Sequence, residues 1–121
     1  GDVVSLRDLP ATILDLAGLP DERRIPGSSL MGVLHPENGR LSPVIAQTEK
    51  TEAWWGTVPT RRGSMESYLD ERFHYIRISN GEEELFDYRA DYEELNDLSK
   101  SAPWRDSLPV FRGRVKPRRQ P

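Results

Sequence analysis

The sequence contains no cysteine among its 121 residues. This absence excludes disulfides, thiolate metal sites and cysteine nucleophiles within the chain. It leaves the cellular compartment open, because a chain without cysteine suits reducing and oxidising surroundings alike. Long apolar runs are missing too, and none approaches the roughly 20 residues that cross a bilayer, so we expect no membrane span. The opening segment GDVVSLRDLP mixes Asp and Pro with apolar residues, which does not match a signal peptide.

Apolar residues make up only 36% of the chain, whereas charged residues make up 31%. A chain of this length suits one domain, and its core must be modest. A sheet with one covered face fits this composition better than a thick sandwich. Aromatic and β-branched residues recur along the whole sequence, so the high charge indicates a solvated surface rather than disorder.

The net charge of −3 conceals an uneven distribution of charge. Residues 82–97 hold eight acidic residues and one basic residue, Arg89. We interpret this stretch as a solvated sheet edge and expect no metal site, because the Asp/Asn-Gly-Glu pattern of a calcium loop is missing. The end of the chain has only basic charges, namely Arg112, Arg114, Lys116, Arg118 and Arg119. We interpret it as a solvated terminus and expect no nucleic-acid partner, because interleaved aromatic residues are missing.

The most regular local pattern predicts a helix within RDLPATILDLAGLP. Asp8 is in place to cap its first turn, where the missing N–H of Pro10 is tolerated. Gly18 is expected to end the helix. One face of this helix is apolar and consists of Leu9, Ile13, Leu16 and Ala17.

A small antiparallel sheet is predicted in the second half of the chain, from the segments PVIAQ, SMESYL, RFHYIRIS and EELFDY. Asp70-Glu71 is expected to form a tight turn, and Asn80-Gly81 predicts a type I′ hairpin. Alternation in RFHYIRIS places His74 and Tyr75 on opposite faces. We therefore predict an α+β fold: a small antiparallel sheet of three to four strands, packed with an N-terminal helix and a short C-terminal helix.

Four short motifs follow one another in a recognisable order. They are Asp-Leu-Pro-x-Thr closing on Leu-Ala-Gly-Leu-Pro at 8–20, Pro-Gly-x-Ser-Leu at 26–30, Arg-aromatic-x-Tyr-Ile at 72–76, and Glu-Leu-aromatic-Asp at 84–87, which leads into Asp-x-x-Glu-Leu-Asn-x-Leu at 91–98. This ordered set resembles the C-terminal part of sulfatases, members of the alkaline phosphatase-like superfamily. Two positions depart from the family pattern: Tyr92 stands where Pro is usual, and His74 where Lys is frequent.

The resemblance implies a division of the chain into three parts. Residues 1–19 would end the catalytic domain, residues 20–42 would form an irregular connection containing one or two helical turns, and residues 43–121 would form a C-terminal subdomain. In sulfatases, a Cys or Ser in a C/S-x-P-x-R motif becomes formylglycine, whose hydrate attacks the sulfur of a sulfate ester beside a calcium ion. Those groups lie upstream of the matched region. The resemblance therefore implies no cofactor in this chain, and calcium and formylglycine in the full-length parent.

The expected partners are the upstream catalytic domain of the same protein and a sulfated small molecule or sugar. Phosphoester and phosphonate hydrolases share this tail and are an alternative. A free-standing interaction module that uses the basic end or the tryptophans is another. An upstream nucleophile would separate these interpretations.

The string SAPWR at 101–105 formally matches the S-x-P-x-R motif. It follows NDLS, far from the start of a catalytic domain, and no paired Asp residues or nearby His accompany it. A cap formed by Ser101, with Pro103 in the first helical turn, explains the same residues. We therefore expect no catalytic residue in this chain.

Residues 49–63, here called the Trp loop, contain the candidate substrate-binding residues Trp54, Trp55, Arg61 and Arg62. Aromatic rings stack on sugar or aryl groups, and guanidinium groups pair with sulfate or carboxylate. Alternatively, the two tryptophans anchor a long loop on the parent domain. His74 is interpreted as a packing or surface residue, with a substrate hydrogen bond as the alternative.

Overall fold

The computed structural model describes residues 3–20, 25–35, 42–52 and 58–115. The chain divides into two units, residues 1–44 and residues 45–121. Within the described ranges, the helices are α1 (Leu9–Leu16), α2 (Met31–Leu34), α3 (Ala102–Arg105) and α4 (Leu108–Arg114), and the strands are β1 (Val44–Thr48), β2 (Met65–Leu69), β3 (Phe73–Ile78) and β4 (Glu83–Asp87). No helix in these ranges is long and apolar enough to cross a membrane.

The first unit begins with a 3₁₀ turn at Leu6–Asp8 that runs directly into α1. The Ser5 hydroxyl accepts the Arg7 N–H at 3.2 Å, and the Asp8 carboxylate accepts the Ser5 N–H at 3.3 Å, which forms a capping box. The prediction that the Asp8 side chain caps α1 is wrong, because it makes no hydrogen bond to the first turn of that helix. The extra turn moves the cap upstream, and Asp8 instead accepts the Ser28 N–H at 2.9 Å.

Helix α1 ends at glycine, as predicted. Gly18 has a φ of +64°, its N–H bonds to Asp15 O at 3.0 Å, and the next N–H, of Leu19, bonds to Leu14 O at 2.9 Å. This pair of bonds is the Schellman arrangement, which satisfies the last carbonyls of the helix.

The Pro-Gly-x-Ser-Leu segment packs against the start of α1. Gly27 has a φ of +119°, and a Cβ placed there would lie 2.3 Å from Arg7 O, so only glycine fits this approach. The Leu30 N–H then bonds to Thr12 Oγ1 at 2.9 Å. The predicted helical turn follows at once as α2. The first two motifs of the resemblance therefore form one hydrogen-bonded structure.

The second unit contains a four-stranded sheet in the order β1-β2-β3-β4. Strands β2 and β3 pair antiparallel with Leu69 opposite His74, and β3 and β4 pair antiparallel with Tyr75 opposite Leu85. Together with the N-terminal and C-terminal helices, this sheet confirms the predicted α+β fold.

The turn between β2 and β3 is centred one residue later than predicted. Its middle residues are Glu71 and Arg72, because the Asp70 N–H bonds to Phe73 O at 3.1 Å. The Asp70 carboxylate also accepts the N–H groups of Arg72 and Phe73, at 2.9 and 2.8 Å. This side-chain turn explains the shift, because Asp in the first position hydrogen-bonds the backbone ahead of it.

The turn at Asn80-Gly81 exists, but the type I′ assignment is wrong. Gly81 has a φ of +93°, whereas Asn80 does not have the positive φ that type I′ requires. The Gly81 N–H bonds to Ile78 O at 3.0 Å, and the Ile78 N–H bonds to Glu82 O at 2.9 Å. The connection therefore has three residues, with glycine at the position that needs a positive φ.

The core of the second unit lies on the sheet face that carries Tyr75. Tyr75 and Leu85 are fully buried, and the Tyr75 ring stacks on Phe111 of α4 with a centroid distance of 5.7 Å. The core consists of Tyr68, Tyr75, Leu85, Leu108, Phe111 and Val115, with Phe73, Leu98 and Trp104 packed against it. The predicted short C-terminal helix thus covers one face of the sheet.

The first residues of the basic end are exposed, but they are also paired with acidic side chains of the sheet. Arg112 binds Glu83 with a 2.7 Å hydrogen bond, and Arg114 binds Asp70 at 3.1 Å and the Tyr68 hydroxyl at 3.2 Å. These arginines belong to α4 and hold it to the sheet. Residues 116–121 lie outside the described residues.

Candidate functional site

The Trp loop connects β1 to β2, and its two arms are hydrogen-bonded to each other. The Thr51 N–H bonds to Thr60 O at 3.2 Å. Trp54 and Trp55 lie outside the described residues. Arg61 ends a 3₁₀ turn at Pro59–Arg61, Arg62 follows it, and both arginines are exposed. The substrate-binding role of all four residues stays a prediction.

The end of the Trp loop packs against the hairpin between β3 and β4. Gly63 is buried, with a φ of +155°. A Cβ at this position would lie 2.4 Å from Ser79 Oγ and 3.2 Å from Ile78 Cγ2. Glycine is therefore required for the loop to approach the sheet so closely, and this contact fixes where Arg62 emerges.

Arg62 shares its charge between two carboxylates. Its Nη1 lies 2.8 Å from both Glu82 Oε2 and Glu84 Oε1. The hydrogen bond to Glu84 is the main reason that the pKa of Arg62 is raised. The acidic edge is consequently not simply solvated, as the sequence suggested, since these acids are paired with arginine. An anion that binds Arg62 has to compete with both glutamates.

A cavity of about 650 Å³ opens beside this arginine and is here called the Arg62 cavity. Three cationic side chains line it, Arg62, Lys100 and Arg105, together with the acidic run Glu82, Glu83 and Glu84. Arg105 donates to Lys100 O at 3.2 Å, so its guanidinium lies alongside the backbone that carries the second cation. A site with both charges can bind hydroxyl groups through its carboxylates and anionic groups through its cations.

Asp97 holds the wall of the Arg62 cavity to the edge of β4. Its Oδ1 accepts the N–H of Leu85 at 3.1 Å and that of Ser99 at 2.9 Å, and its Oδ2 lies 2.8 Å from Lys100 Nζ. Burial opposes ionisation, but the hydrogen bonds from Lys100, Ser99 and Leu85 outweigh it and lower the pKa of Asp97 to about 2. The carboxylate therefore stays ionised and occupies an edge position where another strand would otherwise bond.

On the sheet face opposite Tyr75, His74 joins two polar side chains. Its Nε2 lies 2.9 Å from Ser67 Oγ, and its Nδ1 lies 2.6 Å from Glu94 Oε1. An ionised carboxylate only accepts hydrogen bonds, so Nδ1 is the donor to Glu94, and in the tautomer with its proton on Nδ1 the Nε2 atom is the acceptor for the serine hydroxyl. The sequence analysis missed this arrangement. The hairpin register places Ser67 diagonally beside His74, but no pattern in the sequence brings Glu94 to them.

Ser101 stands at the N-cap position of α3, with Pro103 in the first turn as predicted. Its hydroxyl does not cap that helix, however, but donates to Leu98 O at 2.9 Å. This carbonyl belongs to the preceding 3₁₀ turn at Leu98–Lys100. No group of three or more His, Asp or Glu side chains within the described ranges is placed to hold a metal ion.

No protein-family model and no curated protein matches this sequence. Solved structures do match it. A sulfatase candidate from Bacteroides thetaiotaomicron is 27% identical with a TM-score of 0.68, and a 2-O GAG sulfatase is 25% identical with a TM-score of 0.67. The phosphonate monoester hydrolase of Agrobacterium radiobacter has the same fold, with 18% identity and a TM-score of 0.63. Each match covers 89% of this chain and 23% of the other chain.

The chain thus spans about 23% of the length of the structures it matches, while 89% of its own length is aligned with them. The family recognition is confirmed: this chain is similar to a segment of the sulfatases and phosphonate monoester hydrolases of the alkaline phosphatase-like superfamily, consistent with a C-terminal fragment of such a protein.

Proposed function

We propose that this chain is the C-terminal fragment of a sulfatase-like sulfuric ester hydrolase, with a structural role and a substrate-rim role and without the catalytic nucleophile. The observation that carries the proposal is the match of 89% of this chain to 23% of two sulfatase chains at 27% and 25% identity. Residues 1–19 are the last part of the catalytic domain, and residues 43–121 form the C-terminal subdomain. Residues 20–42 form the irregular connection between these two parts.

The structural role rests on an apolar stripe along α1. Leu9, Ile13 and Leu16 are 46%, 63% and 64% exposed, although the sequence pattern marks them as a buried helix face. Large side chains on one exposed helix face indicate a surface that another part of the protein covers. The upstream catalytic domain is the proposed occupant, because the matched structures are about four times as long as the segment aligned here.

The chemistry of ester hydrolysis belongs to the upstream part of the parent in this proposal. Calcium there would balance the charge on the sulfate, and formylglycine would supply the nucleophile. The described residues of this chain form no cluster of three acidic or histidine side chains that fits a metal ion, so the calcium ligands would come from the upstream part.

The rim role combines the Trp loop with the Arg62 cavity. Trp54 and Trp55 would cover the organic part of a sulfate ester, while Arg61 or Arg62 meets a second anionic group. Lys100 and Arg105 add two further cations to the same cavity wall. A sulfated small molecule or sugar is therefore the proposed ligand class, since its hydroxyls suit the glutamates and its anionic groups suit the cations.

The test begins with the upstream sequence of the natural gene, followed by production of the whole protein. We expect a Cys or Ser in a C/S-x-P-x-R motif, and hydrolysis of an aryl sulfate that stops when this residue is changed to Ala. Ile13→Asp should lower the Tm of the whole protein more than Tyr92→Asp, which changes a residue that is 89% exposed in a turn instead. A gene that begins at residue 2, or equal effects of the two variants, would contradict the proposal.

Phosphonate ester hydrolysis is the second candidate. Its support is the shared fold with two phosphonate monoester hydrolases, at TM-scores of 0.63 and 0.61. Parallel assays of the whole protein on an aryl sulfate and a phosphonate monoester decide between the two, through the ratio of their kcat/KM values.

A further inference from the structure

We propose that Ser67 is an activated nucleophile, with His74 as its general base and Glu94 as the residue that positions the base. The ligand class is a small electrophilic ester, either an activated carboxylic ester or a phosphonyl compound. The argument for this site does not rest on the proposed sulfatase function.

The geometry of these three residues has the features of an activated serine. The nucleophile and base are in hydrogen-bond contact, with Ser67 Oγ 2.9 Å from His74 Nε2, and the base is oriented from its other side by Glu94 Oε1 at 2.6 Å from Nδ1. The carboxylate fixes the tautomer in which Nε2 can accept the serine proton. The direction of the hydrogen bonds is therefore the one that proton removal from Ser67 requires.

The backbone of Glu94 strengthens this interpretation. Glu94 has a φ of +54°, and it is the only residue other than glycine with a positive φ in the described part of the chain. Such a conformation is strained for an L-residue with a Cβ. Neighbouring bonds hold it, because the Glu94 N–H bonds to Asp91 O at 3.0 Å and Asp91 accepts the Asn96 N–H at 2.7 Å. Strain kept in place beside a histidine is typical of a site that needs a fixed geometry.

The site is accessible to a small reagent. Ser67 is half-buried, and the side chains of His74 and Glu94 are 20% and 31% exposed. Partial burial weakens competition from water for the serine–histidine hydrogen bond. It still leaves a path for an electrophile to reach Oγ.

The proposed step is one substitution. Ser67 Oγ forms a bond to the electrophilic carbon or phosphorus, while the proton of the hydroxyl moves to His74 Nε2. The leaving group departs with its electron pair and takes up that proton, so the serine ends as a neutral ester. With an alkyl fluorophosphonate, the P–F bond breaks, an O–P bond forms, and hydrogen fluoride is released.

The test is the rate at which the 121-residue chain reacts with an alkyl fluorophosphonate, followed by intact mass and peptide mapping. We expect one adduct, located at Ser67, and none at this position in Ser67→Ala. Ser64→Ala is the matched control, because it removes another half-buried serine next to the same strand and should react like the unchanged chain. The chain unfolded in denaturant reports the reactivity of unassisted serines.

Two variants separate activation from mere exposure. His74→Gln should lower the rate of labelling at Ser67 by about 100-fold or more, since general bases contribute at least that factor. Glu94→Gln should also lower the rate, because the amide no longer fixes the tautomer; the same change in a serine–histidine–aspartate triad costs about 10⁴-fold. Near-UV circular dichroism of each variant verifies that the core is intact.

If His74→Gln fails to fold, the comparison of Glu94→Gln with the unchanged and the denatured chain decides the question. The proposal would be overturned if Ser67 of the folded, unchanged chain were labelled no faster than Ser67 of the denatured chain. It would also be overturned if a folded His74→Gln or Glu94→Gln variant were labelled as fast as the unchanged chain.

Discussion

Glu83 on β4 and Arg112 on α4 are joined by two hydrogen bonds, Nε to Oε1 at 2.7 Å and Nη2 to Oε2 at 2.5 Å. The hydroxyl of the fully buried Tyr75 donates to the same carboxylate. The hydrogen bond from Arg112 is the main reason that the pKa of Glu83 is lowered. One carboxylate therefore connects the sheet, the covering helix and a core tyrosine.

Arg112→Gln should lower the Tm at neutral pH by more than Arg105→Gln does. The first variant leaves the Glu83 carboxylate without its bidentate partner, whereas the hydrogen bond that Arg105 donates goes to a backbone carbonyl, Lys100 O. Because the folded-state pKa of Glu83 is depressed, its contribution is present above the unfolded pKa and is lost as the pH falls below it. The difference between Arg112→Gln and the unchanged chain should then shrink below about pH 4. A difference that does not depend on pH would contradict this account.

Asp97→Ala should destabilise the second unit by about 1–3 kcal/mol, because two N–H groups, of Leu85 and Ser99, lose their acceptor. The pKa of Asp97 is lowered from 3.8 to about 2 in the folded chain, so its contribution is complete above pH 3.8 and is lost towards pH 2. Urea denaturation at pH 7 and pH 2.5 measures both effects. Asp97→Asn, which keeps one acceptor oxygen, should lose less stability at pH 7. A loss as large as that of Asp97→Ala would show that the charge matters more than the acceptor.

The parts of the fold that follow local rules could be predicted from the sequence. Gly18 ends α1 because a left-handed residue is needed there, and the alternation in β3 does place His74 and Tyr75 on opposite faces of the sheet. The errors arose where side chains compete for backbone groups. The Asp8 carboxylate accepts the Ser5 N–H, which precedes it, rather than an N–H of α1. The Asp70 carboxylate accepts the Arg72 N–H, and the turn is centred one residue later than predicted. Both outcomes depend on an adjoining turn that propensity does not specify.

The candidate sites were less predictable because they depend on contacts between distant segments. Arg62 was identified from the sequence as a possible ligand contact, but its pairing with Glu82 and Glu84 requires the register of the hairpin. His74 was interpreted as a packing or surface residue. Its partner Glu94 reaches it from a loop 20 residues along the chain, and this approach has no periodic signal in the sequence.

Gly81→Val should destabilise the second unit by about 1–3 kcal/mol, because a β-branched residue is strained at a φ of +93°. Crowding does not contribute, since a Cβ at Gly81 meets no atom within 4 Å. The matched control is Gly113→Ala on α4, which is equally open but is not at a positive φ. It should be neutral or stabilising by up to about 1 kcal/mol. Denaturant midpoints of both variants provide the measurement, and an unchanged midpoint for Gly81→Val would place the constraint elsewhere.

The isolated chain should have no measurable sulfatase or phosphatase activity. The hydroxyl of Ser101 donates to Leu98 O, and no group of three or more His, Asp or Glu side chains in the described residues is placed to hold a metal ion beside it. Turnover of an aryl sulfate and an aryl phosphate with calcium present is the measurement, with Ser101→Ala as the control. Activity that disappears in Ser101→Ala would show that SAPWR is catalytic after all.

The rim role of the Trp loop predicts a particular kinetic signature in the whole protein. In this proposal the reacting sulfate is held upstream, and Trp54 and Trp55 contact only the organic part of the substrate. Losing such contacts weakens ground-state and transition-state binding equally, so KM rises while kcat changes little. The Trp54→Ala, Trp55→Ala double variant should therefore raise KM more than it lowers kcat.

If the tryptophans only anchor the loop on the parent domain, the same double variant should lose stability while kcat and KM per folded molecule stay unchanged. Arg62→Gln distinguishes these cases further. Arg62 lies at the hydrogen-bonded end of the same loop, and loss of its guanidinium would leave Glu82 and Glu84 without their shared partner. A rise in KM that is larger for a substrate with two anionic groups than for one with a single anionic group would assign Arg62 to ligand binding. An equal KM for both substrates, together with a lower Tm, would restrict Arg62 to holding the loop on the sheet.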